Sequence, residues 1–195
     1  MHKLSASFVL GYHGCDESVG EQLLLNQEFR FSQNDYDWLG EGIYFWEANP
    51  LRGLQFAQEV AVREPKRIKK PCVIGAILDL GYCLDLTTNA GLGMVKDAYL
   101  AMEGAYKTLA RPLPVNRPEK FLHPLDCAVI NYLHEIRASN QQPPVDSIKA
   151  IFQEPPTLYR GSAFMEKNHV QIAVRNMDCI KGVFRVPKKH LDPTR

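Results

Sequence analysis

The chain has 195 residues, of which 45% are hydrophobic and 23% charged, and its formal net charge is +1. This composition is ordinary for a globular protein with a substantial core. No run of about 18 apolar residues occurs, so the sequence predicts no membrane span. A signal peptide is not expected either, because Gly11, His13 and Asp16 interrupt the first apolar stretch. We therefore expect a cytoplasmic protein with no membrane partner, folded as one domain over residues 1–195.

The cysteines and histidines predict no metal site. The five cysteines are widely spaced and form no CxxC pair, which argues against a zinc or redox motif. Outside the first strand, the histidines are scattered without the spacing of metal ligands: His123, His134, His169 and His190.

Charge is unevenly distributed along the chain. Residues 1–60 carry 3 basic and 9 acidic side chains, whereas residues 160–195 carry 8 basic and 3 acidic ones. A basic end attracts phosphate groups, as in nucleic-acid binding. A solvated strand face followed by a loose tail explains the same excess.

The predicted elements begin with a strand over residues 7–12 that ends at His13-Gly14. A helix capped by Asp16 or Ser18 follows and runs to about Asn26. Residues 29–40 lack a regular period and predict a loop, and residues 43–46 form a short strand. Asn49-Pro50 then begins a helix that ends at about residue 63.

The second half predicts two strands, two helices and then three further strands. The first two strands cover residues 72–80 and 83–86. The helices cover about 92–109, with Thr87-Thr88-Asn89 as the cap, and 126–138, and a proline-rich loop over 111–124 lies between them. The final strands cover 146–152, 170–174 and 180–186, and a polar loop is expected over 154–168. The predicted class is α+β, with helices inserted between the early strands.

Two short motifs follow one another in the first 50 residues. His13-Gly14 closes the first strand, and Gly40-Glu41-Gly42-Ile43-Tyr44-Phe45 opens the second. A glycine lets the backbone approach a flat polar ligand, a tyrosine ring stacks on it, and a histidine holds a hydroxyl group. Each feature alone also fits a structural role. Their order and spacing resemble the nicotinamide-binding core of the ADP-ribosyltransferases of diphtheria-toxin and poly(ADP-ribose) polymerase type.

This resemblance implies a split β-sheet core of the ADP-ribosyltransferase type and NAD as co-substrate. By the same resemblance, His13 would bind the ribose hydroxyls of NAD, and the Gly14 backbone would bind the nicotinamide amide. Tyr44 would stack on the nicotinamide ring, and Ser32 and Gly42 would line the same site.

A third segment departs from the family pattern. Residues 170–174, followed by Asn176 and Ile180, are similar to the last active strand of the family, which usually carries a glutamate. Here the matching residue is Gln171, so the chain carries a His-Tyr-Gln variant of a His-Tyr-Glu motif. Glutamine accepts a hydroxyl hydrogen bond but brings no charge to the oxocarbenium-like ribose. A unit charge at about 4 Å, with an effective dielectric constant of about 20, is worth roughly 4 kcal/mol.

Three explanations fit a glutamine at position 171 in place of the family's glutamate. Another carboxylate substitutes for the missing glutamate, with Asp126, Glu154 and Asp178 as candidates by residue type alone. Alternatively, the acceptor is nucleophilic enough to need little activation. In the third case, the site binds NAD without turning it over.

The resemblance favours a small stand-alone bacterial mono-ADP-ribosyltransferase, a toxin or anti-phage effector with an antitoxin as an expected partner. The residues expected to bind the acceptor are Tyr159, Arg160 and Phe164, in the segment before Gln171. Because aromatic and arginine side chains stack on bases, a nucleic-acid acceptor is slightly favoured over a protein. The alternatives are an NAD glycohydrolase and a non-catalytic module that binds NAD or ADP-ribose.

Overall fold

The computed structural model describes residues 8–117 and 122–192. Its strands are β1 Phe8–Asp16, β2 Ile43–Glu47, β3 Pro71–Asp79, β4 Cys83–Asp85, β5 Ser147–Thr157, β6 Met165–Val174 and β7 Ile180–Arg185. The α-helices are α1 Glu17–Leu24, α2 Pro50–Arg63, α3 Asn89–Thr108 and α4 Pro124–Ser139. The strands form one sheet in the order β4-β5-β6-β2-β1-β3-β7, with only β4 and β5 parallel. The predicted α+β class is confirmed.

Side-chain caps begin three of the helices where the sequence predicts them. The side chain of Asp16 accepts a hydrogen bond from the backbone of Ser18 at 3.0 Å. Asn49 caps α2 and Thr88 caps α3 in the same way, each at 3.0 Å. Such a cap stabilises a helix by about 1 kcal/mol. Local side-chain chemistry therefore accounts for the start of α1, α2 and α3.

The predicted loop over residues 154–168 is wrong. Instead, β5 continues to Thr157 and β6 begins at Met165, so the two strands form a long hairpin with a register shift between Glu154 and Thr157. Pro155 and Pro156 lie at this irregularity, where a strand tolerates residues that lack a backbone N–H. The hairpin arm is exposed, so its polar residues carry no apolar periodicity.

Pairing between β1 and β2 is much shorter than the pairing on either side of it. These strands are registered only at Gly11 with Glu47 and Tyr12 with Trp46. By contrast, β1 pairs with β3 along its whole length, and β2 pairs with β6 from Ile43 to Trp46. Two well-paired portions of the sheet are thus joined by a short contact, and β1 and β2 separate beyond it.

The two largest apolar clusters pack against the sheet, and the second of them spans both portions. Helices α3 and α4 pack on β4, β5 and β6 around residues such as Met102, Leu133 and Phe152. The other cluster includes Leu23 of α1 and the fully buried Phe45 of β2. Burying a side chain of this size contributes roughly 1.5–3 kcal/mol. Among the described residues, no helix combines the length and apolarity needed to cross a membrane.

A glycine contact brings α2 against the end of β1. A Cβ atom at Gly14 would overlap with the carbonyl oxygen of Gly53, and it would also lie 3.3 Å from the Cβ of Ala57. Close packing of α2 therefore requires glycine at position 14, independently of any ligand.

We predict that Gly14→Ala lowers the free energy of unfolding by about 1–3 kcal/mol, because the added methyl group pushes α2 away from β1. The measurement is urea unfolding followed by circular dichroism. The control is Gly104→Ala in α3, where an added Cβ meets nothing within 4 Å. This control should leave stability unchanged or raise it by up to about 1 kcal/mol. Equal effects of the two substitutions would contradict the packing explanation.

Candidate functional site

A cleft of about 660 Å³ opens where β1 and β2 separate. Its walls come from the end of β1, the loop that precedes β2, helix α2 and the β5–β6 hairpin. It contains all the residues that the sequence proposed for NAD: His13, Gly14, Ser32, Gly42, Tyr44 and Gln171. Three segments that are distant in the chain therefore meet in one cavity.

His13 bridges the gap between the separated strands. Its Nδ1 lies 2.9 Å from the carbonyl oxygen of Tyr44. Because a carbonyl only accepts hydrogen bonds, Nδ1 must carry the proton. Burial lowers the pKa of His13 below its usual value, so the ring is neutral at neutral pH and Nε2 keeps its lone pair. His13 can thus accept a hydrogen bond from a ligand hydroxyl.

The edge of β1 beyond Tyr12 presents backbone groups to the cleft. On the side of β1 that faces β2, the carbonyl of Leu10 accepts a hydrogen bond from Ala48 at 2.9 Å. Alternate residues of a strand direct their backbone groups to the same edge. Gly14, four residues after Leu10, therefore directs its N–H and C=O toward the side from which β2 has separated. These groups can pair with a flat amide.

Tyr44 offers a ligand its ring and not its hydroxyl. The hydroxyl donates to the carbonyl of Gly40 at 2.7 Å and accepts from the N–H of Leu39 at 3.0 Å. Gly40 adopts a φ of +73°, and the adjacent N–H of Glu41 donates to the side chain of Asn131. Gly40 thus serves the turn that holds Tyr44. This turn explains the glycine at position 40 without any contact between Gly40 and a ligand.

Ser32 and Gly42 form a short antiparallel bridge at the mouth of β2. Their backbones exchange hydrogen bonds of 2.8 and 3.2 Å. A Cβ atom at Gly42 would lie 3.1 Å from the carbonyl oxygen of Val174, so packing favours glycine there. Asp37 lines the same wall, and burial raises its pKa. Sequence reasoning missed Asp37, because a single aspartate in an irregular loop carries no signal.

Gln171 lies beside a histidine that sequence reasoning did not assign to the site. It is registered opposite Trp46 of β2, and its Nε2 is 3.1 Å from Nε2 of His169. The His169 side chain is fully buried, and its Nδ1 lies 2.7 Å from the carbonyl of Lys167. Spacing of two along a strand is the signal that would have found it, since such residues share a face.

A network of four charged side chains borders Gln171 in the cleft. Arg52 of α2, whose side chain is only 5% exposed, contacts Glu154 at 2.9 Å and Glu59 at 3.5 Å. Lys167 contacts Glu59 at 2.8 Å. Glu154 also reaches His169, with 3.7 Å between Oε1 and Nε2. Positive and negative charges balance in this network, which lowers the cost of burying them.

The structure separates the three carboxylates considered as substitutes for the missing glutamate. Glu154 lines the cleft. Asp126 lines a different, more apolar groove of about 500 Å³ beside α3 and α4, and Asn116 donates to it at 3.0 Å. Asp178 is exposed in a short 3-10 helix after β6. Of these three, only Glu154 lies in the same cavity as Gln171.

Two buried donors in the cleft wall have no hydrogen-bond partner within residues 8–117 and 122–192. They are Nε1 of Trp46 and Nε of Arg52. A buried N–H without an acceptor costs about 1–3 kcal/mol, so an oxygen from a ligand or a water would be favoured here. The described part of the chain contains no group of three or more His, Cys, Asp or Glu residues that could hold a metal ion.

The residues proposed for acceptor binding lie outside the cleft lining. Tyr159, Arg160 and Phe164 occupy the tip of the β5–β6 hairpin, where the two aromatic side chains are about 60% exposed. The basic excess of the last 36 residues is partly neutralised. Lys167 pairs with Glu59 and Arg185 with Glu21, while Arg195 lies beyond the described residues.

Comparison with known proteins adds little functional information. No protein-family model matches the chain, and no solved structure matches it significantly. The chain is similar to "Uncharacterized protein MJ0359" of Methanocaldococcus jannaschii, with 26% identity over 192 residues, covering 87% of this chain and 83% of that protein.

We predict that Arg52→Ala lowers the free energy of unfolding by about 3 kcal/mol, because it leaves Glu154 buried without its cation. Urea unfolding measures the change. Arg63→Ala is the control, since Arg63 lies on the same helix but its side chain is 64% exposed. This control should change stability by no more than about 0.5 kcal/mol. Similar losses in both variants would show that Arg52 is not a buried anchor of the cleft.

Proposed function

We propose that the protein is an NAD-dependent mono-ADP-ribosyltransferase that modifies a macromolecular acceptor. The proposal rests on one observation above all. His13, Tyr44 and Gln171, the three residues of the resemblance, come from separate segments and line one cleft. The volume of about 660 Å³ lies within the usual range of small-molecule sites.

The chemistry of the lining residues supports NAD as the ligand. Nε2 of His13 is available to accept a hydrogen bond from a ribose hydroxyl. The ring of Tyr44, held by its hydroxyl, is available for stacking on nicotinamide. The outward backbone groups of Gly14 complement the carboxamide. The short contact between β1 and β2 supports the split-sheet arrangement that the resemblance implies.

Gln171 and the charges beside it favour slow transfer of a single ADP-ribose over growth of a poly(ADP-ribose) chain. Departure of nicotinamide leaves positive charge on the ribose, and a nearby carboxylate stabilises that charge. Gln171 accepts a hydroxyl hydrogen bond but brings neither charge nor base. Glu154 is a carboxylate in the same cleft, and Arg52 offsets part of its charge at 2.9 Å.

The same offset favours a second candidate, a module that binds NAD or ADP-ribose without cleaving it. In that case the cleft would recognise the dinucleotide, and the exposed hairpin tip would contact a partner. NAD turnover distinguishes the two functions. A growth-inhibiting toxin role, with an antitoxin partner, depends on the first.

We predict that the purified protein releases nicotinamide from NAD and adds one ADP-ribose to an acceptor in cell lysate. Mass spectrometry of NAD mixed with lysate RNA or protein measures both products and identifies the acceptor class. Free ADP-ribose alone would indicate a glycohydrolase. NAD that binds but stays intact in every mixture would indicate the binding module. If isothermal titration calorimetry detects no NAD binding, the proposed function is wrong.

Substitutions of His13 and Tyr44 test the cleft itself. We expect Tyr44→Ala to abolish NAD binding, because it removes the stacking surface, and His13→Ala to weaken binding and abolish turnover. The matched controls are Tyr82→Ala and His190→Ala, since both side chains are exposed and lie outside the cleft. The controls should retain wild-type affinity by calorimetry. An unchanged affinity in Tyr44→Ala would contradict the assignment.

We predict that Glu154→Gln lowers the rate of nicotinamide release about tenfold, equivalent to ~1.4 kcal/mol, while NAD affinity stays close to wild type. The reason is the loss of a negative charge that shares the cleft with Gln171 and approaches the same histidine. Glu59→Gln serves as the control, because it removes a charge from the same network, whereas Glu154 is the carboxylate that lies 3.7 Å from Nε2 of His169. Equal rates in the two variants would show that Glu154 plays no special part in turnover.

A further inference from the structure

The hydrogen bonds of His169 determine which of its ring nitrogens carries the proton. Nδ1 lies 2.7 Å from the carbonyl oxygen of Lys167. That oxygen only accepts, so Nδ1 donates, and the neutral ring is left with a lone pair on Nε2. Burial lowers the pKa of His169 below its usual value, which keeps the ring neutral at neutral pH.

This lone pair in turn determines the orientation of the Gln171 amide. The amide nitrogen of Gln171 lies 3.1 Å from Nε2 of His169 and donates to it. Rotating the amide by 180° would place the Gln171 oxygen against the lone pair, which is repulsive. The ring cannot easily turn away, because its side chain is fully buried and stacks on Phe152 with 5.7 Å between centroids.

We propose that His169 is a positioning residue that makes Gln171 present its amide oxygen, and not its NH₂ group, to the ligand in the cleft. Gln171 then acts as a hydrogen-bond acceptor toward a ligand hydroxyl. The orientation of the Gln171 amide follows from the hydrogen bonds alone. The identification of the ligand hydroxyl as a ribose hydroxyl of NAD rests on the proposed function.

Protonation of His169 reverses the orientation. An N–H at Nε2 would donate to Glu154, whose Oε1 is 3.7 Å away, or to the amide oxygen of Gln171, and it could no longer accept from the Gln171 NH₂ group. The other charged groups acting on the ring are Arg52 and Glu59 of α2. The ammonium group of Lys167 on β6 pairs with Glu59. Because the folded-state pKa is lowered, the acceptor form of Gln171 is present at neutral pH. It is lost as the pH falls below the ordinary range of histidine.

The first experiment uses the wild-type protein without NAD. Long-range ¹H–¹⁵N spectra at neutral pH should show His169 with its proton on Nδ1, the less common tautomer of free histidine. The signal is assigned by its disappearance in His169→Gln. A proton on Nε2, or a charged ring, at neutral pH would overturn the proposal whether or not the protein binds NAD.

The second experiment compares His169→Phe with His169→Gln. Phenylalanine keeps the ring that stacks on Phe152 but has no acceptor for Gln171, whereas glutamine supplies an acceptor oxygen. We expect kcat/KM for NAD, or NAD affinity in the absence of turnover, to fall about tenfold in His169→Phe. His169→Gln should recover to within about threefold of wild type.

The pH profile separates positioning from a general structural role. In the wild type, kcat/KM or affinity should decline as the pH falls, because both His13 and His169 need neutral rings. The part of the decline that is due to His169 should be absent in His169→Gln, so its acid limb should be shallower than that of the wild type. Urea unfolding shows whether each variant is folded. Equal impairment of both variants, or an unchanged acid decline in His169→Gln, would overturn the proposal. If the wild-type protein neither binds nor cleaves NAD, the proposed function is wrong. In that case the tautomer of His169, measured without NAD, still tests whether His169 positions Gln171.

Discussion

The hydrogen bond from Nδ1 of His13 to the carbonyl of Tyr44 holds the sheet together where backbone pairing ends. One side chain thus replaces the ladder between β1 and β2 and leaves a cavity beside it. Three consequences follow from the same bond. The tautomer of His13 is set, the backbone of Tyr44 is tied to β1, and the edge of β1 at Gly14 is left without pairing to β2.

Electrostatic balance explains why a glutamine suits position 171. The neighbouring network already contains Glu154 and Glu59, balanced by Arg52 and Lys167. A further carboxylate at position 171 would add uncompensated charge and would face the lone pair of His169. Glutamine instead satisfies that lone pair with a neutral N–H. A neutral side chain at position 171 is therefore consistent with the surrounding side chains.

Local signals predicted most of the elements. Asp16, Asn49 and Thr88 are short polar side chains at helix starts, and their capping bonds form within three residues. The outer arm of the β5–β6 hairpin escaped prediction because it is solvent-exposed and contains Pro155 and Pro156, whereas the inner parts of both strands were predicted. An exposed strand gains its stability from backbone pairing with a partner, which leaves no periodic pattern of apolar residues.

By itself, the sequence determined the α+β class, the capped helices and the segments that carry His13, Tyr44 and Gln171. These follow from contacts between residues that are close in the chain, or from motifs that are contiguous. Tertiary structure alone decided that Glu154, and not Asp126 or Asp178, shares a cavity with Gln171. It alone revealed that Arg52 contacts Glu154 and that His169 contacts Gln171. Such charge and hydrogen-bond pairings depend on distances between separate elements, which exist only once the sheet and α2 have packed.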